Sequence, residues 1–60
     1  MIFKVNFLCG SVWCSNIAIA DNEQDVINYY GKKYLSVHIE QGNAYDLEEA
    51  ERKGKPIKKF

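Results

Sequence analysis

Near the start of the chain Phe3, Val5 and Phe7 alternate with Lys4 and Asn6, the period-two pattern of a strand with one buried face. A turn at Cys9-Gly10-Ser11 follows. The stretch from Val12 to Ala20 then alternates again, with Trp13, Ile17 and Ile19 on one side and Asn16 on the other. The two stretches read as a hairpin. Asp21 has the character of a helix N-cap, with Gln24 at the capping-box position and Glu23 and Asp25 in the first turn. Val26, Ile27, Tyr30 and Tyr34 recur at helical spacing, and Gly31, Lys32 and Lys33 mark the far end of a helix of about three turns.

Period two returns where Leu35, Val37 and Ile39 alternate with Ser36, His38 and Glu40, which predicts a third strand stopping at Gly42-Asn43. Asp46 with Glu49 predicts a second, shorter helix, with Tyr45 and Ala50 as its hydrophobic staple. Gly54 ends that helix and Pro56 stops it from resuming. Its apolar anchors are only Leu47 and Ala50, so it leans on the pairs Glu48–Arg52 and Glu49–Lys53 for support. Residues 55–60 form either a short edge strand through Ile57 or a mobile basic tail.

The expected architecture is a single α+β domain over 1–60, in the order β-β-α-β-α. Its sheet is three-stranded and mainly antiparallel, in the order 2-1-3, with one helix on a face and a short C-terminal helix. A connection through a helix makes the third strand parallel to the second, so both flank the first. Sixty residues give room for one core, and Phe3, Phe7 and Tyr30 are its natural aromatic members.

Composition adds little to this picture and removes several alternatives. With 47% apolar and 27% charged residues the chain is of ordinary globular type. Eight basic and eight acidic side chains cancel, so no overall field draws the molecule to nucleic acid or to an anionic membrane. The cancellation is uneven: Arg52, Lys53, Lys55, Lys58 and Lys59 give the last nine residues +5. Eight acids against Lys4, Lys32 and Lys33 leave the preceding fifty-one at −5. Acids at helix starts and bases at helix ends account for much of this asymmetry, as the helix dipole favours. Lys55, Lys58 and Lys59 are left over. They are the candidate nucleic-acid contacts, with Tyr29, Tyr34 or Trp13 to stack on unpaired bases.

Cys9 and Cys14 are too few for a secreted disulfide framework and read as two reduced, partly buried thiols facing each other across a four-residue loop. With His38 they fall short of a zinc ligand set. The one catalytic arrangement the residues allow is a thiol–imidazole pair, and His38 alternates with apolar neighbours like an outward strand residue. The expectation is therefore a chain with no enzymatic activity, cofactor or metal. The apolar stretch before Ala18-Ile19-Ala20 is interrupted by Asn6, Gly10, Ser11, Ser15 and Asn16, which argues against a leader peptide. No run reaches the length of a membrane span, and the expected location is the cytoplasm. The core leaves Trp13, Tyr29, Tyr34 and Tyr45 without fixed duties. These aromatics are the candidate partner-binding residues, the partner being another protein or a second copy of the chain. The alternative is a nucleic-acid-binding module that uses the basic tail.

Overall fold

The first strand is central because its alternation lets one face carry large side chains while both edges carry hydrogen bonds. A computed structural model describes residues 1–60, with β1 at Ile2–Cys9, β2 at Val12–Ile19, α1 at Glu23–Lys33, β3 at Leu35–Gln41, α2 at Ala44–Lys53 and β4 at Ile57–Lys59. The sheet order is β3-β1-β2-β4. β1 pairs antiparallel with β2 and β3, whereas β4 runs parallel to β2. The sheet is thus four-stranded and mixed, where the sequence predicts three mainly antiparallel strands. The difference is the C-terminal segment: Ile57, Lys58 and Lys59 pair with Ile17, Ala18 and Ile19. Backbone bonds from Ile17 to Pro56 and from Phe60 to Ile19 extend that ladder at both ends.

The β1–β2 hairpin closes through a two-residue turn, Gly10-Ser11, with Cys9 opposite Val12. Gly10 has φ +69 and Ser11 has no positive φ, the arrangement of a type II′ turn whose first central position suits glycine. A tight turn of this kind matches the right-handed twist of the strands and sets the register of the whole hairpin.

Pairing places Phe3, Val5 and Phe7 on the same face as Cys14, Asn16 and Ala18, and α1 covers that face. Val26 and Tyr30 are the helix residues buried there, with Val5 and Val26 fully enclosed. Phe7 stacks on Tyr30 and Tyr34 at centroid distances of 5.6 and 4.1 Å. Asn16 points into this apolar layer and donates from Nδ2 to the Tyr30 hydroxyl at 3.3 Å, which gives the buried phenol a partner. Ile27 does not join the stripe; it is 42% exposed, because a helix with two buried positions one turn apart rotates its neighbour out of the contact.

Both helices begin elsewhere than the pattern of acids suggests. Asn22 rather than Asp21 caps α1, its side chain accepting from the Asp25 backbone N–H at 2.9 Å. Asn43 rather than Asp46 caps α2, in a reciprocal pair: Asn43 accepts from the Asp46 N–H at 3.0 Å, and the Asp46 carboxylate accepts from the Asn43 N–H at 2.9 Å. Asparagine is as good a cap as aspartate, and here it stands three residues before an acid that can return the bond. The shift removes Tyr45 from the staple position and leaves it 63% exposed. Of the two charge pairs expected on α2, Glu49–Lys53 forms at 2.8 Å and Glu48–Arg52 does not. Gly54 ends α2 at φ +72, a left-handed cap that accepts no side chain without strain.

α2 lies on the sheet face opposite α1. Two crossovers running in opposite directions along one sheet place their helices on opposite faces when they keep the same hand. Ala50 is its buried anchor, and Leu47 is half-buried. No helix is long and apolar enough to cross a membrane.

β3 carries the largest departure from simple alternation. His38 pairs with Asn6, but Leu35 pairs with Leu8, so Ser36 and Val37 together stand opposite Phe7. This is a β-bulge, and Ser36 takes φ +54 to make it. Val37 and Ile39 remain on the α1 side against the core. Leu35, expected beside them, is turned to the other face and is 75% exposed. Ser36→Gly, which removes the side chain from a left-handed position, is expected to stabilise the fold by about 0.5–1 kcal/mol, and Ser36→Val to destabilise it by about 1–2 kcal/mol. Thermal unfolding of the two variants beside the parent checks both signs.

Candidate interaction surfaces

Register alone determines what occupies the α2 side of the sheet. Trp13 on β2, Leu8 on β1 and Leu35 on β3 are direct cross-strand partners and form one row across three strands. The next row is Ser15, Asn6 and His38, and the one after it Ile17, Lys4 and Glu40. α2 covers the end of this face that holds Ile17 and leaves the Trp13–Leu8–Leu35 row bare. Trp13 is 57% exposed, Leu35 is 75% exposed and Leu8 is half-buried. The Trp13 ring leans towards His38, with centroids 5.8 Å apart. Three adjacent apolar side chains rimmed by polar ones are the usual composition of a contact surface, whereas single exposed apolar residues are commonplace.

Under α2 the same face forms a cleft of about 280 Å³, lined mainly by charged and polar groups. Its charges answer one another: Lys4 pairs with Glu40 at 3.0 Å across β1 and β3, and Lys55 donates to the Ser15 hydroxyl at 3.3 Å. The hydrogen bond to Glu40 holds the Lys4 ammonium above its ordinary range, with Asp46 adding to it. Glu49 is held below the usual carboxylate range, first by its bond to Lys53. No three His, Cys, Asp or Glu side chains come together as a metal site.

On the α1 side, Tyr29 projects from the helix flank towards β4. Lys33, one turn on, donates to its hydroxyl at 2.9 Å, and Phe60 meets its ring edge-on at 5.4 Å. Lys58 shares the register position of Ala18, so it stands on this face, 4.9 Å from the Tyr29 ring centre. The Lys33 ammonium keeps the Tyr29 phenol below its ordinary value of 10.0.

Of the four candidate aromatics, then, Trp13 lies in the bare apolar row, and Tyr29 lies in a basic cluster on the other side of the sheet. Tyr34 is half-buried at the edge of the core and stacked on Phe7, and Tyr45 is exposed on α2 beside Glu49. The structure does not bring the four together. The three tail lysines also separate: Lys55 lines the cleft under α2, Lys58 faces α1, and Lys59 pairs beside Ile19 on the α2 side. Sequence reading missed Leu35 and Leu8 as surface residues, because only the bulge reveals that Leu35 leaves the core side. It also missed Lys33 and Phe60 as neighbours of Tyr29, a grouping that depends on β4 joining the sheet.

Cys9 and Cys14 share the α1 face but sit diagonally, since Cys14 is opposite Phe7 and Cys9 is opposite Val12. The two-residue turn replaces the four-residue loop that would have set them face to face. Both are free thiols, Cys9 exposed and Cys14 half-buried. Burial, and then the proximity of Cys9, raises the Cys14 thiol above its ordinary value. His38 belongs to the opposite face, so it makes no pair with either thiol. A thiol reagent at neutral pH is expected to modify Cys9 well before Cys14, a difference that mass mapping of partly labelled protein resolves. Beside β4, the Tyr29 phenol is expected to titrate below 10.0 in the parent and to return towards that value in Lys33→Gln, followed by its ring resonances in NMR.

No protein-family model matches this chain, and no curated protein or solved structure matches it either.

Proposed function

We propose that this chain is a non-catalytic accessory protein that binds another protein through the bare Trp13–Leu8–Leu35 row. The single observation carrying the reading is that three large apolar side chains stand in one cross-strand row, and α2 stops short of covering them. Tryptophan brings much contact area with few rotatable bonds, so it is favoured at the centre of contact surfaces. Leu35 belongs to an edge strand, which places unpaired backbone groups beside the apolar row, and a partner strand or helix there gains both kinds of contact. The reading assigns the protein to the cytoplasm, where Cys9 and Cys14 stay reduced.

Affinity capture from host lysate with the parent chain is the direct experiment, run beside Trp13→Ser and Leu35→Ser. Both positions are exposed, so each variant is expected to keep the parent's circular dichroism and unfolding temperature. Each is expected to weaken capture of the partner by tenfold or more, as removal of a central apolar contact of about 2 kcal/mol does. Sedimentation of the purified chain across a concentration series separates a second copy from a different protein. Equal capture by parent and variants would overturn the assignment of the surface.

A further inference from the structure

A second surface lies on the α1 side of the sheet and has a different chemistry. Lys33 and Lys58 make no ion pair with any carboxylate, since the two ion pairs of the molecule are Lys4–Glu40 and Lys53–Glu49. Aromatic groups hold them instead. The Lys33 ammonium lies 2.9 Å from the Tyr29 hydroxyl oxygen and 4.4 Å from the ring centre, so it is anchored at the hydroxyl end. The Lys58 ammonium lies 4.9 Å from the centre of Tyr29 and 5.7 Å from that of Phe60. Lys32 lines the same shallow groove beside Tyr29 and Phe60, and Asp25 is the one acid in it. Phe60, at right angles to Tyr29, is 45% exposed.

Two ammonium groups that form no ion pair, next to an exposed ring, make a site for a ligand that carries both negative charge and flat aromatic surface. We propose that this groove binds single-stranded nucleic acid, with backbone phosphates on Lys33 and Lys58 and an unpaired base stacked on Phe60. Stacking serves any base, and the lysines follow a backbone without reading sequence. A duplex keeps its bases stacked on each other and offers Phe60 nothing, while three lysines are too few to hold it by charge alone. An acidic peptide would use the lysines and leave the ring idle.

Fluorescence anisotropy with labelled single-stranded DNA and RNA of about ten nucleotides tests this on the full chain. Two phosphate contacts predict that a fourfold rise in salt weakens binding by roughly sevenfold. Replacing both lysines, Lys33→Gln with Lys58→Gln, is expected to cost tenfold or more and to flatten the salt dependence. Phe60→Ala is expected to cost about fivefold or more while leaving the salt dependence as it was, because stacking does not release counterions. Trp13→Ser, on the other face, is expected to bind like the parent. Thermal unfolding verifies that each variant is folded. Absence of binding at low salt would overturn the proposal. It would equally fail if Phe60→Ala bound like the parent and a poly-glutamate peptide displaced the oligonucleotide as readily as unlabelled strand did.

Discussion

The contact between β1 and α1 sustains the rest of the molecule. Phe3, Val5 and Phe7 present one apolar face, and α1 answers with only Val26 and Tyr30 as buried partners. Truncating a buried phenylalanine in such a core costs about 3–5 kcal/mol, comparable to the whole stability of a domain this size. Because β1 is also the strand to which both β2 and β3 pair, loss of that contact would dissolve the sheet as well. Each of the exposed surfaces is carried by elements whose position depends on it.

What was legible in the chain was what repeats. Alternation at Phe3, Val5 and Phe7, and at Trp13, Ile17 and Ile19, exposes β1 and β2 directly, since a sheet residue has only two faces to choose between. The helices were equally visible, though not their first residues: Asn22 and Asn43 take the N-cap positions that Asp21 and Asp46 were expected to hold, and at α2 Asp46 returns the bond as the third residue after the cap. β4 was visible only as one of two alternatives, because a three-residue strand is stabilised by the β2 edge it meets and scarcely by its own sequence.

The surfaces were less legible than the fold for a related reason. Trp13 could be singled out by its type, but its neighbours Leu8 and Leu35 are defined by pairing between distant segments. Tyr29 likewise gains Lys58 and Phe60 only once the C-terminal segment lies along β2. Tyr34 shows the converse. Its type suggests a contact residue, yet the ring completes the stack on Phe7. Residue type thus nominates candidates, and long-range pairing decides which of them reach solvent.

The bulge at Ser36 has a meaning for how such a protein can change. A strand reads its side chains as a binary sequence of inward and outward positions, and one extra residue inverts the reading for everything beyond it. Here the inversion is confined to Leu35, because the strand begins there. Strict alternation back from Ile39 and Val37 would put Leu35 on the α1 side, so it is the extra residue within β3 that carries this leucine to the other face. An apolar surface can thus arise, or vanish, when a bulge forms or closes near the end of a strand whose remaining residues keep their register.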